Sequence, residues 1–189
     1  MLEGLGLAVA AEIPAVVVDV MRGGPSTGVP TKSEQADLNM AVYGLHGDAP
    51  HLVLGALDHA DCILTTEWSV RLAEALQTVA VVLTDQNLAQ SRVLIPEPRY
   101  ELPAIPKRVR AESEANYQRY ADTPSGVSPM AIPGTASCTY VADGLEHDER
   151  GKPSTAASDH QAQLDKRLRK LTKFDFGDCW ADIRGEGVT

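Results

Sequence analysis

The stretch from Met21 to Lys32 concentrates the side chains best suited to binding a ligand. Its glycines remove side-chain bulk, so a ligand can approach the backbone closely. Its hydroxyl residues offer hydrogen-bond donors, and its two cationic residues supply positive charge. The members of these three groups are Gly23, Gly24 and Gly28; Ser26, Thr27 and Thr31; and Arg22 and Lys32. This composition predicts a site for a small anion.

Arg22 indicates which anion the site would take. A planar guanidinium matches a carboxylate with two parallel hydrogen bonds, which a lysine ammonium cannot do. Gly23 and Gly28 have the spacing of a phosphate-binding loop, but Val29 and Pro30 stand where that motif requires Lys and Ser or Thr. We therefore predict a carboxylate ligand. The alternative is a tight connection that is rich in glycine and proline for conformational reasons and binds nothing.

Two segments with histidines are weaker candidates. His46 could reach the same sheet edge as Arg22 and act there as a donor or base, and a histidine in an exposed turn is the alternative interpretation. The residues from Glu146 to Glu149 resemble a set of metal ligands. Adjacent side chains diverge in direction, however, and no histidine pair at i, i+4 accompanies them. We predict no metal site in this chain.

Alternating helices and strands provide the frame for these residues. The hydrophobic pattern predicts strands at 15–20, 52–55 and 78–83, and helices at 2–11, 34–43 and 58–77. Such alternation is typical of an α/β fold, a parallel sheet with helices on both faces. Ligands of open parallel sheets bind beyond the carboxyl ends of the strands. Arg22 directly follows the first predicted strand, so it is expected at that edge.

The predicted elements also divide the chain into segments. The first helix begins close to Met1 without a preceding strand or capping residue, so residues 1–98 are predicted to be an incomplete α/β domain. Residues 99–155 are rich in proline and charge and are predicted to form an extended connector. Residues 156–173 are predicted to be an amphipathic helix whose basic side chains form a solvated flank beside a leucine stripe. Residues 174–189 would start a further, truncated domain.

Composition excludes several classes of function. The chain has 189 residues and a formal net charge of −9, which repels a phosphate backbone and excludes nucleic acid as a partner. Its most apolar stretch, residues 5–21, contains Glu12, Pro14 and Asp19, so neither a membrane-spanning helix nor a secretory leader is predicted, and a cytoplasmic location is expected. The three cysteines form no C-x-x-C pair. Any redox centre is therefore expected on another chain.

Longer motifs resemble one known family. Residues 12–38, which include Met-Arg-Gly-Gly-Pro-Ser-Thr-Gly, and residues 43–50, Tyr-Gly-Leu-His-Gly-Asp-Ala-Pro, resemble the α subunit of 2-oxoacid:ferredoxin oxidoreductases, most of all the 2-oxoglutarate synthase type. The likeness continues through Thr84–Leu88, Ala131–Thr135 and Gly144–Glu149. It covers most of the chain, up to about Leu171.

The resemblance implies a fold, an activity and partners. The chain would be the later part of the pyrimidine-binding domain for thiamine diphosphate, followed by the connector to a further domain. The activity would be oxidative decarboxylation of a 2-oxoacid, 2-oxoglutarate first among them, to acyl-CoA with electrons passed to ferredoxin. A β subunit would carry the diphosphate and magnesium site and the iron–sulfur clusters. The complex would bind the 2-oxoacid and coenzyme A, and a homodimer of such heterodimers is one assembly it could form.

The resemblance also assigns roles to residues. Arg22 would hold a carboxylate of the 2-oxoacid and Thr27 would line the substrate pocket. The full set of expected substrate-binding residues is Arg22, Ser26, Thr27 and Lys32, with Gly23, Gly24 and His46 adjacent to the site. The family's Tyr-Pro-Ile-Thr-Pro motif and its cofactor-activating glutamate are not in this sequence. No catalytic residue is therefore expected in this chain, and the isolated chain is predicted to be inactive. The alternative is a non-catalytic, truncated subunit that acts as an assembly or carboxylate-binding module.

Overall fold

The fold is an α/β arrangement around a three-stranded parallel sheet, as the sequence predicts. The computed structural model describes residues 2–26, 28–30, 32–97, 104–113, 115–142 and 144–177. The elements, in chain order, are α1 (Leu2–Ala10), β1 (Ala15–Met21), α2 (Leu38–Tyr43), β2 (Leu52–Gly55), α3 (His59–Leu76), β3 (Val79–Asp85), α4 (Gln86–Gln90) and α5 (Ala157–Thr172). The sheet has the strand order β1-β3-β2. The predicted fold class is confirmed.

The sheet is covered by helices on both faces because the central strand β3 is apolar on both. Its alternate residues Val79, Val81 and Leu83 belong to a core that includes Leu5 and Val9 of α1 and Ala41 of α2. Ala80 and Val82 are buried as well, and successive strand residues point to opposite faces, so this second set faces α3. Near the C-terminal end of α3, the buried residues are Leu72, Ala73, Ala75 and Leu76. A strand buried on both faces fixes the register of its two neighbours.

Two helices differ from the sequence-based expectation. α2 begins at Leu38 rather than at residue 34, and its N-cap residue Asp37 makes no side-chain capping bond. α4 was not predicted, since it is a single short turn that follows β3 without a loop; the Asp85 side chain caps it by accepting from the Leu88 amide at 2.9 Å. No helix in the described part of the chain is long and apolar enough to cross a membrane.

The described residues between 104 and 155 contain isolated bridges but no helix or strand. Arg110 pairs with Met130 and His147 with Pro153 in these bridges. This irregular segment nevertheless contributes fully buried side chains, Arg119 and Tyr120, each with 0% relative exposure. The connector therefore packs as part of the folded body, and its division from the neighbouring domains stays a prediction.

The basic face of α5 is buried, which makes the predicted solvated flank wrong. Lys166 is 0% and Lys170 2% exposed, whereas Leu168, from the leucine stripe, is 52% exposed. Both ammonium groups donate to Glu12, which precedes β1; the Lys166 Nζ to Glu12 Oε1 distance is 2.5 Å. A buried carboxylate can outweigh the cost of removing lysines from water, which helix periodicity alone does not show.

Candidate functional site

Arg22 lies at the carboxyl edge of the sheet, as its position after the first strand predicted. It is the first residue beyond β1, and the register pairs Met21 with Asp85, the last residue of β3. Arg22 and Gln86 therefore leave adjacent parallel strands side by side. Arg22 is exposed, and its guanidinium makes no hydrogen bond or ion pair with any residue that the structure describes. Its donors are available to a ligand.

Arg22 lines a surface depression of about 360 Å³. The depression is lined by Val20, Arg22, Gln86, Ala89 and Gln90. The three α4 residues share one helix face because they stand at positions i, i+3 and i+4. Among these lining residues there is one cation and no acid, with apolar side chains between the polar groups. Such a lining suits a small anion with an aliphatic part.

The loop behind Arg22 is closed by its own backbone. The Gly23 amide donates to the Lys32 carbonyl at 3.3 Å, and the Val29 amide donates to the Gly23 carbonyl at 2.7 Å. Gly28 has a φ of +70°, and a Cβ there would lie 1.4 Å from the Gly23 carbonyl oxygen. Only glycine fits this position, so the glycine spacing seen in the sequence has a conformational cause. The loop forms a closed turn from which Arg22 extends.

Asp85 fastens this loop to the end of β3. Its Oδ1 accepts from the Leu88 amide at 2.9 Å, and its Oδ2 accepts from Gln35 Nε2 at 3.1 Å. These hydrogen bonds, from Leu88 first and then Gln35, hold the pKa of the Asp85 carboxyl below its usual range. Asp85 therefore stays ionised and joins α4, β3 and the segment after the Arg22 loop.

Most of the residues predicted for the site lie in this loop. Arg22, Gly23, Gly24, Ser26 and Lys32 are all within it; Gly23 is buried, and the other four are exposed. Thr27, which was expected to line the pocket, lies outside the described residues, as does Thr31.

The structure does not bring His46 to the Arg22 edge. His46 is exposed in the bend between α2 and β2, which enters β2 at the amino end of the parallel sheet. Arg22 leaves β1 at the opposite, carboxyl end. The placement matches the alternative interpretation, a histidine in an exposed turn.

The acidic segment Glu146–Glu149 is engaged within the fold. Glu146 pairs with Arg167 and His160, and the Glu149 carboxylate accepts from the Asp122 amide at 2.7 Å. Among the described residues, no group of three or more His, Cys, Asp or Glu side chains is arranged to hold a metal ion. The cysteines Cys62 and Cys138 are both free, and Cys179 lies outside the described residues.

Sequence reasoning missed the residues that complete the edge: Gln35, Asp85, Gln86 and Gln90. A signal was present, because Thr84–Asn87 places polar side chains immediately after a buried strand. In a parallel sheet such residues meet those that follow the neighbouring strand. The pairing of β1 with β3, rather than with β2, had to be known before Gln86 could be placed beside Arg22.

An open parallel sheet with the unpaired Arg22 guanidinium at its carboxyl edge is typical of one class of protein, the α/β ligand-binding folds. A family model described as "Pyruvate flavodoxin/ferredoxin oxidoreductase, thiamine diP-bdg" matches residues 1–166. The chain therefore belongs to this thiamine diphosphate-binding family of pyruvate flavodoxin/ferredoxin oxidoreductases. The family suggested by the sequence motifs is confirmed.

Individual relatives support this membership. The chain is 36% identical over 178 residues to the α subunit of 2-oxoacid:ferredoxin oxidoreductase 1 from Sulfurisphaera tokodaii, which covers 93% of this chain and 28% of that protein. It is 38% identical over 184 residues to the 2-oxoglutarate oxidoreductase subunit KorA of Mycobacterium tuberculosis, covering 95% of this chain and 28% of that protein. The chain thus spans little more than a quarter of the length of these relatives.

A solved structure has the same fold. It is the 2-oxoglutarate:ferredoxin oxidoreductase from Magnetococcus marinus with 2-oxoglutarate, coenzyme A and succinyl-CoA bound. The TM-score is 0.85 at 41% sequence identity, and the match covers all of this chain and 33% of that one. All the residues described above lie within the matched region.

Proposed function

We propose that this chain is the part of an α subunit that binds the substrate carboxylate in a thiamine diphosphate-dependent 2-oxoacid:ferredoxin oxidoreductase. The reaction is the oxidative decarboxylation of a 2-oxoacid to acyl-CoA, with electrons passed to ferredoxin. Family membership supports the reaction class. The proposed substrate is 2-oxoglutarate, because the similar M. tuberculosis subunit and the M. marinus structure are both named for it.

The unpaired Arg22 guanidinium is the observation that carries this proposal. It stands at the carboxyl edge of the sheet beside a depression of about 360 Å³, and no described acid neutralises it. A 2-oxoacid carboxylate bound there by two parallel hydrogen bonds is fixed in both position and orientation. Fixing the carboxylate also fixes the adjacent keto carbon, where the reaction takes place.

The rest of the loop supports Arg22. Ser26 and Thr27 offer hydroxyl donors and Lys32 adds positive charge near the substrate. Gly24 is exposed and has no atom within 4 Å of the position that a Cβ would take, so it keeps the approach to the backbone open. His46 is left out of this site because it lies at the other end of the sheet.

The described residues fit part of a thiamine diphosphate site. The carboxyl edge offers room and an anion-binding group, but both oxygens of Asp85 accept hydrogen bonds within the chain, and no described cluster suits a magnesium ion. Arg22 and its loop would therefore border the cofactor, while the diphosphate, magnesium and iron–sulfur clusters are held by a β subunit. When bound, thiamine diphosphate supplies the electron sink that decarboxylation requires.

The proposed assembly follows because the substrate-binding and cofactor-binding groups lie on different subunits. The complex contains a β subunit, uses coenzyme A and passes electrons to ferredoxin in the cytoplasm, and a homodimer of heterodimers is its proposed form. Because the described residues provide only part of a cofactor site, we expect the isolated chain to be inactive. Its catalytic contribution exists only in the complex.

Reconstitution tests this proposal. The complete α subunit that contains this chain is combined with its β subunit and thiamine diphosphate, and reduction of a viologen dye is followed with 2-oxoglutarate and coenzyme A. We expect dye reduction that requires all components and none from the chain alone. Activity of the isolated chain, or a complex that is assembled but unresponsive to any 2-oxoacid, would contradict the proposal.

A second candidate, an assembly module without a catalytic role, is favoured by the surface of β1. Val18 and Val20 are 52% and 44% exposed, and β1 pairs with a described strand on one side only. Such a surface is typical of a protein interface. Gel filtration with the β subunit, combined with the Arg22→Ala variant, separates the two functions: a pure assembly module keeps both the complex and its activity when Arg22 is replaced.

A further inference from the structure

A second depression, of about 290 Å³, lies between the irregular segment and α5. We call it the α5 depression. It shares no lining residue with the depression beside Arg22. Among its described lining residues, Arg150 is the single cation, and the acids are Asp122, Asp148, Glu149 and Asp159. The excess of negative charge favours a cationic ligand.

Two of these carboxylates are held in place by the fold while one oxygen of each stays available. Asp148 Oδ1 accepts from the Arg150 and Lys152 amides, both at 2.9 Å. Asp159 Oδ2 accepts from the Ser154 hydroxyl at 2.5 Å. The other oxygen of each carboxylate makes no hydrogen bond or ion pair with a described residue. The fold therefore orients both groups and leaves an acceptor on each for a ligand.

Glu149 joins the irregular segment together at the same place. Its Oε1 accepts from the Asp122 amide at 2.7 Å, and its carbonyl accepts from the Tyr120 amide at 2.9 Å. The Asp122 carboxylate forms an ion pair with Arg169, so its charge is compensated. The acids without an ion-pair partner among the described residues are therefore Asp148, Glu149 and Asp159.

Gln163 places a buried acceptor without a partner at the wall of the α5 depression. The residue is 1% exposed, and its Nε2 donates to the Tyr120 carbonyl at 3.2 Å, which fixes the orientation of the amide. Its Oε1 has no hydrogen-bond partner among the described residues. A buried acceptor in this state is unfavourable, and only a donor can satisfy it. The ligand must therefore carry N–H or O–H donors as well as positive charge.

An organic cation fits these groups better than a metal ion. No three His, Cys, Asp or Glu side chains of the described residues are arranged to hold a metal ion. A guanidinium presents five N–H donors and an ammonium presents three, so either can bond to several separate acceptors at once. Ala162 adds an apolar contact for the aliphatic stem that carries such a group.

We propose that the α5 depression binds the guanidinium or ammonium group of an aliphatic cation. Asp148, Asp159 and Glu149 accept from it with their available oxygens, and Gln163 Oε1 accepts one further N–H. A free molecule and a basic side chain of a partner subunit would present the same chemistry. The inference is independent of the function proposed for Arg22, because the two depressions have no residue in common.

Calorimetric titration of the complete α subunit at low salt tests the site. The probe is Nα-acetyl-L-arginine amide, and the matched control is Nα-acetyl-L-citrulline amide, in which a neutral urea replaces the guanidinium. We expect the arginine probe to bind at least about tenfold more tightly, because the urea has no charge and places an oxygen against the carboxylates. Added salt should weaken the binding of the arginine probe.

Substitution of the two held carboxylates locates the binding. Asp148→Asn and Asp159→Asn keep one carbonyl oxygen for the hydrogen bond within the fold and place an NH₂ group where the available oxygen was. We expect each to raise the Kd of the arginine probe about tenfold. Asp165→Asn is the control, since Asp165 also lies on α5 and accepts from Gln161 Nε2 at 2.8 Å but does not line the depression. It should leave the Kd unchanged.

Titration of the assembled complex distinguishes the two sources of the cation. A probe that binds the α subunit but not the complex shows that a basic side chain of the partner occupies the depression. Equal binding to both shows that the ligand is a free molecule. The proposal is overturned if the arginine probe binds neither, or if the arginine and citrulline probes bind alike. It is also overturned if both Asn variants unfold thermally like the parent and keep its Kd within twofold.

Discussion

At the scale of single residues, Gly28 decides whether the Arg22 loop can form. Its φ of +70° disfavours any L side chain, and the space for a Cβ is taken by the Gly23 carbonyl. At the neighbouring Gly24, by contrast, nothing lies within 4 Å of the position that a Cβ would take, and φ is outside the left-handed region. The two glycines thus differ in whether the backbone requires them.

We expect Gly28→Ala to lower the free energy of unfolding by about 1–3 kcal/mol and to displace the loop, because strain and steric overlap act together. Gly24→Ala is the matched control and should change it by less than about 0.5 kcal/mol. Urea denaturation followed by circular dichroism measures both. Equal effects of the two substitutions would show that the closed turn is not required by Gly28.

At the scale of elements, Asp85 joins three parts of the site. It ends β3, caps α4 and accepts from Gln35, and it is only 9% exposed. Since these contacts lower the pKa of its carboxyl, its contribution to stability is present above the pKa of the unfolded chain and decreases as the pH falls through the lower folded value.

Replacing Asp85 tests whether its carboxylate stabilises the contacts among β3, α4 and Gln35. Asp85→Ala should destabilise the chain by about 1–2 kcal/mol through the lost cap and the lost tie to Gln35. Asp48→Ala is the control, because Asp48 is exposed in the bend before β2. Thermal unfolding above and below the usual aspartate range should show the difference between the two variants shrinking in acid. A difference that persists unchanged at low pH would contradict the role of the ionised carboxyl.

The elements also show what could be predicted from the sequence and why. The three strands follow from apolar runs with clear boundaries and α3 from a long stretch with helical spacing of its apolar residues. Arg22 was placed correctly because it adjoins the first of these runs. α4 was missed because a helix of five residues is too short to show a hydrophobic periodicity. The orientation of α5 was wrong because its lysines pair with Glu12, more than 150 residues away in the sequence. Contacts at that separation leave no local pattern.

At the scale of the whole molecule, the Glu12 cluster joins the two ends of the described chain. Burial alone would raise the pKa of Glu12, but the charges of Lys170 and Lys166 outweigh it and bring the pKa to about 2. Burial lowers the pKa of Lys170 to about 8 in spite of Glu12. The Arg119 guanidinium donates to the Glu12 carbonyl at 2.8 Å, so the irregular segment takes part as well.

This cluster predicts an order of destabilisation. Glu12→Gln leaves two buried ammonium groups without a counter-charge and should cost about 3–5 kcal/mol. Lys166→Met should cost less, because Lys170 and Glu12 remain as a pair. Urea denaturation at neutral pH compares the two. A larger loss from Lys166→Met than from Glu12→Gln would contradict this account of the cluster.

The same cluster predicts an acid dependence. The pKa of Glu12 is about 2 in the folded chain against an ordinary value of 4.5, so the unfolded chain takes up a proton first as the pH falls. About 3 kcal/mol of stability is therefore present above 4.5 and is lost progressively towards 2. Unfolding of the parent chain and Glu12→Gln at about pH 5 and about pH 3 should show this component in the parent alone. The same dependence of the unfolding free energy on pH in the parent chain and in Glu12→Gln would contradict this prediction.

The central claim for the molecule is that Arg22, at the carboxyl edge of the sheet, binds the substrate carboxylate. Calorimetric titration of the assembled complex with 2-oxoglutarate tests it, with Arg22→Ala compared to Arg71→Ala, whose guanidinium pairs with Glu67 on the exposed side of α3. We predict that Arg22→Ala raises the Kd about ten- to a hundredfold and that Arg71→Ala leaves it unchanged. Equal Kd values for the two variants in assembled complexes would contradict the claim.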